Sequence, residues 1–305
     1  MKKIVCIVGP TAVGKTAIAF ELANLLNGTL VSADSVQVFR GLDIISGKDL
    51  PEGYTYNAGY YSHNGSPSIC LLDVVECTSL FSVSDYLNVS SVFINQILTE
   101  GKLPIVVGGT GLYIKSLIDG LDVEVEPDIE LRAQLEKLTL EELSSLLPEE
   151  RLRSFNNSDI KNKRRLIRAI EILKSNKVEA NKYNLQFESL VIGLNCPREI
   201  LKERIDIRVD LRINDGAIEE ATRLFQRYED LAPQIKDANG YKQLFQYLSG
   251  EVDLSEAIYR WKISEYRHAK NQMTWFEKYG NVEWFSVLDS NFKNKVQKRV
   301  HKFLL

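Results

Sequence analysis

Short apolar runs alternate along the chain with longer stretches in which apolar residues recur at helical spacing. The clearest run, residues 4–8, is unbroken and β-rich, and a helical pattern follows it over residues 17–26. Further candidate strands lie at residues 28–33, 69–74, 104–107, 190–194 and, more weakly, 282–285. Strands that alternate with helices predict an α/β fold, with a parallel sheet covered by helices on both faces.

The alternation stops after residue 121. Leucines at helical spacing occupy residues 127–147, and a second helical pattern covers residues 162–174. We therefore predict an all-helical insertion at residues 122–184. It separates two parts of the sheet domain, residues 1–121 and residues 185–305, and the second part ends in further helices.

The charge balance restricts the partners. The chain has 305 residues, with 38 basic and 41 acidic side chains and a formal net charge of −3, so any contact with a nucleic acid must come from a local patch. The four cysteines show no C-x-x-C spacing, so neither disulfides nor zinc are expected. No apolar run is long enough for a membrane span and the first strand follows Met-Lys-Lys directly, so we expect a cytoplasmic protein without membrane contact.

The segment between the first strand and the first helix carries the most specific motif. It matches G-x-x-x-x-G-K-[ST] at every fixed position and stands in the strand-to-helix context that this motif requires. The loop N–H groups, the lysine and the helix N-terminus attract phosphate oxygens, and the threonine hydroxyl is a magnesium ligand. The sequence therefore predicts a di- or triphosphate site with Mg²⁺ at Thr16. Its residues are Gly9, Pro10, Thr11, Ala12, Val13, Gly14, Lys15 and Thr16.

Two other segments follow predicted strand ends, which face the ligand crevice in a parallel sheet. The first is Asp34 with Ser35, Val36 and Gln37. The Asp34 carboxylate is a candidate general base, magnesium ligand or helix cap, and its position leaves these alternatives open. The second, residues 108–111, is either a glycine turn that approaches a ligand or a plain strand-to-helix turn. We expect both segments to share one crevice with the phosphate loop.

Two sets of arginines are candidates for anion contacts. Arg204, Arg208 and Arg212 recur at four-residue spacing and form one stripe on a predicted helix, although an ion-paired surface face has the same pattern. Arg165 and Arg168 belong to the densest basic cluster of the chain, on the polar side of an insertion helix. This cluster either grips a phosphate backbone or is an ordinary exposed face.

Together these elements resemble the tRNA dimethylallyltransferase (isopentenyltransferase) family, and the resemblance runs across most of the chain. The matching segments are GPTAVGKT at residues 9–16, SADSVQ at 32–37, VVGGTGLY at 106–113, RRLIRAIE at 164–171, RVD at 208–210, NGYKQL at 239–244 and AKNQMTWF at 269–276. Many enzymes share the phosphate loop, but the ordered combination is specific.

The resemblance implies a P-loop NTPase-like sheet and a helical insertion that holds the anticodon stem-loop of tRNA. It implies a monomeric transferase that uses Mg²⁺. The reaction would move a dimethylallyl group from dimethylallyl diphosphate to the exocyclic N6 amine of the adenosine 3′ of the anticodon, with release of diphosphate.

The resemblance also assigns site residues. Asp34 would take the proton of the amine, and Lys15, Thr16 with Mg²⁺ and Arg208 would stabilise the leaving diphosphate. The positions that resemble tRNA-binding positions of the family are Asp34, Ser35, Val36, Gln37, Thr110, Arg132, Arg165, Leu166, Ile167, Arg168 and Ala169.

Seven positions depart from the family pattern. They are Ile69 and Cys70 (a histidine pair in the family), Lys161 and Asn162 (Asn-Asp), Glu265 and Tyr266 (Thr-Arg), and Asn271 (an arginine). Two arginines are thereby lost, which predicts fewer phosphate contacts and a salt slope of RNA binding lower by about one unit per contact.

Two other functions stay open at this stage. One is a small-molecule enzyme that either prenylates a free adenine nucleotide or transfers phosphate from ATP. The other is a weakly active RNA-binding paralogue, which the departures suggest. The long insertion with its basic helix favours a large acceptor.

Overall fold

The computed structural model describes residues 2–121, 128–155, 157–175 and 187–305. The chain divides into two compact units, one made of Met1–Ile118 and Leu185–Leu305 and the other of Asp119–Asn184. The predicted insertion boundaries at residues 122 and 184, and the start of the helical pattern at residue 127, lie outside the described residues. Among the described residues, no helix has both the length and the apolar character that a membrane span requires.

The described strands of the first unit form one sheet. They are β1 (Lys2–Val8), β2 (Gly28–Ser32), β3 (Thr55–Asn57), β4 (Tyr60–Ser62), β5 (Ile69–Cys70), β6 (Leu103–Val107), β7 (Phe187–Asn195) and β8 (Glu283–Ser286). Their order is β3-β4-β5-β2-β6-β1-β7-β8. Along this order, the five neighbouring pairs between β5 and the β8 edge are parallel, whereas β3-β4 and β4-β5 are antiparallel. The predicted parallel sheet is confirmed for its main part.

Helices account for most of the remaining described chain. The first unit begins with α1 (Lys15–Leu26), α2 (Val83–Thr99) and α3 (Gly111–Asp119). The second has α4 (Ile129–Leu135), α5 (Leu140–Ser145), α6 (Glu149–Arg153), α7 (Asn157–Ile160) and α8 (Lys163–Lys174). The first unit then continues with α9 (Arg198–Asn214), α10 (Ala217–Phe225), α11 (Pro233–Lys236), α12 (Tyr241–Leu248), α13 (Leu254–Tyr279) and α14 (Phe292–Leu304). Helices α1, α2 and α14 pack against the strands.

Strand β1 is the centre of the core. Its residues from Ile4 to Val8 are completely buried, and the strand lies between β6 and β7 in parallel register. Burial on both faces explains why the run is apolar throughout rather than alternating. Helix α1 returns along the sheet and ends at Asn27, which adopts a left-handed conformation and donates its N–H to the Ala23 carbonyl. The phosphate loop is thereby placed at the carboxyl edge of the sheet.

The third predicted strand is much shorter than residues 69–74. Only Ile69 and Cys70 form β5, because Leu71 and Asp73 adopt φ angles of 64° and 55° and break the extended backbone. The Asp73 carboxylate instead accepts hydrogen bonds from Lys48 Nζ at 2.5 Å and Tyr61 Oη at 2.6 Å. The prediction is wrong beyond Cys70 because these polar contacts outweigh the apolar pattern.

The sequence pattern missed the hairpin of β3 and β4. Each strand has three residues, all exposed or half-buried, so neither shows a core-facing alternation. Tyr56 pairs with Tyr61 across the hairpin, with ring centroids 5.1 Å apart, and β4 continues the ladder onto β5. Cross-strand pairing, which periodicity does not reveal, specifies this edge of the sheet.

The second unit is helical throughout its described part. The predicted helical pattern of residues 127–147 is divided into α4 and α5, because Thr139 starts a new helix through a capping box with Glu142. Asn162 caps α8, which gives this departure from the family pattern a structural role. The core of the unit consists of Leu135, Leu143, Leu147, Leu166, Ile167, Ala169 and Ile170.

Candidate active site

The loop between β1 and α1 is curled in the way that anion binding requires. Gly9, Ala12 and Gly14 have φ angles of 141°, 60° and 99°, and Gly14 is the N-cap of α1. Positive φ angles in alternation with ordinary ones turn successive N–H groups toward one side of the loop. The loop therefore combines backbone donors with the positive end of a helix.

Lys15 closes over this loop. Its Nζ donates a hydrogen bond to the Pro10 carbonyl at 2.8 Å. The pKa of Lys15 is lowered to about 7, mainly because the ammonium group is removed from water and secondly because Arg208 is positively charged. The negative charges of Asp34 and Glu265 oppose this shift. A bound anion would favour the charged form of Lys15. In the absence of an anion, the site is short of negative charge.

The arginine stripe of α9 faces the phosphate loop. Arg208 donates from Nη1 to Thr11 Oγ1 at 3.0 Å and from Nη2 to Asp49 Oδ2 at 3.1 Å. Arg204 lies one turn earlier, with Nη1 3.4 Å from the Val13 carbonyl. These arginines are therefore not an ordinary ion-paired surface face.

Arg212 completes the stripe one turn after Arg208. Its side chain is buried, and burial together with the charge of Arg208 lowers its pKa to about 10. The acids between the arginines face a different neighbour, since Asp206 accepts from the Tyr266 hydroxyl and Asp210 from Lys262, both on α13. Helix α9 thus presents Arg204 and Arg208 to the phosphate loop and its carboxylates to α13, whereas Arg212 lies against Gly47.

Asp34 lies just after β2, and one oxygen of its carboxylate stabilises the turn that follows. Its Oδ1 accepts the backbone N–H groups of Val36 at 2.9 Å and Gln37 at 3.3 Å, as a capping aspartate does. Oδ2 takes no part in either bond. The cap and general-base interpretations of Asp34 are therefore compatible, because each uses a different oxygen.

The segments after β2 and β6 are joined by hydrogen bonds. Thr110 donates its N–H to the Ala33 carbonyl at 3.1 Å, and its Oγ1 accepts the Ser35 N–H at 3.0 Å. The Asp34 segment and the glycine turn therefore lie side by side beyond the carboxyl ends of β2 and β6.

Gln272 of α13 connects this edge to the phosphate loop. Its buried side chain accepts the Thr11 N–H at Oε1, at 2.8 Å, and donates from Nε2 to the Gly109 carbonyl at 3.2 Å. Three segments that are far apart in sequence, residues 9–16, 33–37 and 108–111, are thus held together. The bridge also occupies one loop amide, so the Thr11 N–H is not free for a phosphate oxygen.

Two departures from the family pattern lie on α13 beside these contacts. Glu265 is buried, accepts a hydrogen bond from Trp261 Nε1 at 3.2 Å and adds negative charge near Lys15. Tyr266 donates to Asp206 and lies under the Lys202 ammonium, which is 5.5 Å from its ring centroid. These residues give the site a different charge arrangement from the Thr-Arg pair of the family pattern.

In the second unit, Glu171 organises two predicted RNA contacts. Its buried carboxylate accepts a bidentate pair from Arg132, at 2.5 Å from Nε and 2.9 Å from Nη2, and a third bond from Arg168 Nη1 at 3.3 Å. A bidentate pair fixes the plane of a guanidinium group. The two arginines are therefore held in place on one surface of this unit.

The remaining predicted RNA contacts of α8 divide by burial. Arg165 pairs with Asp159 and is 58% exposed. In contrast, Leu166, Ile167 and Ala169 lie in the hydrophobic core of the unit. Their assignment as RNA contacts stays a prediction, and their buried side chains stabilise the helix that carries Arg165 and Arg168.

The sequence did not identify Gln272 or Glu265 as parts of the site, and it left the stripe of Arg204, Arg208 and Arg212 open between anion contact and an ion-paired face. The AKNQMTWF segment and the arginine spacing drew attention to their helices. Spacing indicates which residues share a helical face, but it does not indicate which loop that face contacts. Only the packing of α9 and α13 reveals this.

The chain is similar to known proteins along most of its length. The family model described as IPP transferase matches residues 37–279. A tRNA dimethylallyltransferase of Streptococcus agalactiae is 39% identical over 306 aligned positions, which cover 99% of this chain and 98% of that protein.

Two solved structures are also similar. A tRNA isopentenylpyrophosphate transferase of Bacillus halodurans has a TM-score of 0.69 at 36% identity, over 100% of this chain and 96% of that one. A tRNA delta(2)-isopentenylpyrophosphate transferase of Staphylococcus epidermidis has a TM-score of 0.69 at 28% identity, over 99% of each chain.

The lowered pKa of Lys15 predicts proton uptake when an anion binds. At pH 8 a lysine with a pKa of about 7 is mostly neutral, and a bound pyrophosphate raises the pKa so that Lys15 takes up a proton. Affinity for inorganic pyrophosphate should therefore fall as the pH rises through 7. Calorimetry at pH 8 in buffers of different ionisation enthalpy measures the uptake.

Lys15→Arg is the matched control, because arginine stays charged over this range. Titration of pyrophosphate itself is common to both proteins and cancels in the comparison. The wild-type protein should take up nearly one proton more than the variant. Equal uptake by the two proteins would show that Lys15 does not titrate on binding.

Proposed function

The chain belongs to the IPP transferase family, and on that premise we propose that it transfers a dimethylallyl group from dimethylallyl diphosphate to tRNA. The acceptor is the N6 amine of the adenosine 3′ of the anticodon. The observation that carries the proposal is that a diphosphate cradle and the carboxylate of Asp34 lie at one edge of the same sheet. We also propose that the protein is cytoplasmic and acts as a monomer.

The phosphate loop and its cations hold the diphosphate end of the donor. Loop N–H groups and Lys15 contact its oxygens, and Arg208 lies against the loop through Thr11. As the bond between C1 of the allyl group and the diphosphate oxygen breaks, the electron pair leaves with the oxygen. Groups already oriented toward that growing charge lower the barrier, because they need no rearrangement during the reaction.

The residues present fit a magnesium ion at Thr16. Thr16 lies in the first turn of α1, directly after Lys15. Its hydroxyl would be one ligand of the ion, with diphosphate oxygens and water as the others, which is the oxygen-rich, partly hydrated set that Mg²⁺ prefers. When bound, Mg²⁺ neutralises charge on the departing diphosphate.

Asp34 serves the acceptor. The lone pair of the adenosine amine is delocalised into the ring, so the amine is a weak nucleophile until a base removes its proton. Oδ1 of Asp34 keeps the turn in place, and Oδ2 takes the proton as the N6–C1 bond forms. General-base catalysis of this kind contributes roughly 10²–10⁴-fold in rate.

The second unit supplies the grip on RNA. Three arginines suit contacts to phosphates. Arg165 has an exposed side chain, and Arg132 and Arg168 are fixed by Glu171. The target base must leave its stack to reach a buried pocket, at a cost of a few kcal/mol. Contacts along the stem-loop backbone offset this cost.

The proposed function is tested by direct transfer. The protein is incubated with Mg²⁺, dimethylallyl diphosphate and either an anticodon stem-loop or free AMP, and the products are digested and analysed by mass spectrometry. We expect a prenylated adenosine from the stem-loop. Prenylation of AMP alone, or phosphate transfer from ATP without prenyl transfer, would contradict the proposal.

Asp34→Asn tests the base assignment. Asparagine keeps an oxygen that accepts the Val36 N–H, but it does not take a proton. We expect single-turnover transfer to slow by roughly 10²–10⁴-fold while tRNA affinity changes little.

Asp253→Asn is the matched control, since Asp253 also caps a helix, accepting the Glu256 N–H at 2.8 Å. It should transfer at the wild-type rate. A loss smaller than tenfold in Asp34→Asn would rule out Asp34 as the general base.

Arg165→Ala should weaken tRNA binding and lower the salt slope by about one unit, because one phosphate contact is lost. Arg153→Ala removes another exposed arginine of the same unit, one that pairs with Glu149, and should change the slope less. Fluorescence anisotropy with labelled stem-loop at several salt concentrations measures both. Unchanged affinity of Arg165→Ala at low salt would remove Arg165 from the RNA surface.

A further inference from the structure

The NGYKQL segment, residues 239–244, lies at the start of α12 and supplies none of the phosphate-loop and Asp34 contacts above. Tyr241, the first residue of α12, is completely buried, and its hydroxyl donates to Glu220 Oε1 of α10 at 2.7 Å. Burial and the adjacent charge of Glu220 raise the pKa of Tyr241 well above its usual range. Its hydroxyl therefore remains protonated and acts as a donor.

The Glu220 carboxylate binds the backbone of the loop at residues 43–49. Only 1% of the residue is exposed, and it accepts three successive N–H groups, from Asp43 and Ile44 at 2.8 Å each and from Ile45 at 3.1 Å. With the Tyr241 hydroxyl, the carboxylate has four donors. A buried carboxylate is stable only when it is satisfied in this way, so the loop and the carboxylate hold each other in place.

Packing at Gly240 adds to this hold. A Cβ at this position would lie 2.4 Å from Ile45 Cγ2 and 2.7 Å from the Trp261 ring. The absence of a side chain lets the start of α12 contact the captured loop directly. The NGYKQL segment thus contributes both the contact with the loop and the hydroxyl that completes the carboxylate.

The same loop continues into the active site. The Gly47 carbonyl accepts Gln37 Nε2 at 2.7 Å, next to Asp34, and Asp49 accepts Arg208 Nη2 at 3.1 Å. Gly47 itself lies against the arginines, because a Cβ there would be 2.3 Å from Arg208 Nη2. Displacement of residues 43–45 would therefore move groups on both the diphosphate side and the acceptor side.

We propose, on the premise of the prenyl-transfer function above, that Glu220 and Tyr241 are positioning residues for this reaction. Their hydrogen-bonded pair fixes the backbone of residues 43–45, and the following residues transmit that position to Arg208 and Gln37. Neither residue touches substrate. Their effect on the use of dimethylallyl diphosphate passes through Arg208, and this makes the proposal testable by coupling.

The test is a double-mutant cycle between Tyr241→Phe and Arg208→Ala. Tyr241→Phe removes one hydroxyl and keeps the ring, and we expect kcat/KM for dimethylallyl diphosphate to fall about tenfold. In the Arg208→Ala background the same change should lower kcat/KM less than threefold, because the residue that it positions is absent. Tyr247→Phe, a matched change on the same helix, should leave kcat/KM unchanged.

A merely structural role for the hydroxyl would lower the melting temperature and the active fraction, but it would lower kcat/KM equally in both backgrounds. That result overturns the inference. For each variant, the KM for tRNA is measured in the transfer assay and the affinity for inorganic pyrophosphate is measured by calorimetry. The affinity for pyrophosphate should fall in Tyr241→Phe and stay constant in Tyr247→Phe.

If Tyr241→Phe does not fold, Gly47→Ala provides the same test from the other end of the loop. Gly47 has a φ of 68°, and an added Cβ would lie 1.8 Å from Arg212 Nη2 and 2.3 Å from Arg208 Nη2, so it would displace both guanidinium groups. We expect a similar loss of kcat/KM, smaller in the Arg208→Ala background, and an undiminished kcat/KM would overturn the inference. A wild-type protein without transfer activity would refute the proposed function instead, so the two failures are distinguishable.

Discussion

Burial of cations that lie close to one another is the constraint on which the site depends. Burial, and then the positive charge of Arg208, lowers the pKa of Lys15 to about 7 and that of Arg212 to about 10. Such a group is unfavourable without an anion. Carbonyl oxygens of the loop and the carboxylates of Asp49 and Glu265 hold it together. A diphosphate supplies the missing negative charge, so the arrangement that is unfavourable in the free protein favours donor binding.

The cations are kept in place by segments that are distant in sequence. Gln272 connects the phosphate loop to the glycine turn after β6, and Thr110 connects that turn to the segment of Asp34. On the other side, Glu220 holds the loop that reaches Arg208. The hydrogen bonds of Gln272 and Glu220 are buried or half-buried, and a polar bond in such surroundings is strong only when all its partners are present. The active site is therefore a property of the whole first unit.

Local patterns predicted the parts of the fold that local physics decides. The run from Ile4 to Val8 and the loop after it specify a strand, an anion loop and a helix within about 25 residues. Patterns failed where distant contacts decide. Asp73 ends β5 early because Lys48 and Tyr61 bind its carboxylate. Similarly, arginine spacing on α9 predicted a common face, but only packing shows that this face meets the phosphate loop.

The most direct test of the account is a crystal structure with inorganic pyrophosphate and an anticodon stem-loop bound together. We expect pyrophosphate on the loop of residues 9–16, in contact with Lys15 and Arg208. We also expect the N6 amine of the target adenosine within hydrogen-bond distance, about 3 Å, of an Asp34 carboxylate oxygen. A loop without pyrophosphate, or an adenosine amine far from Asp34, would contradict it.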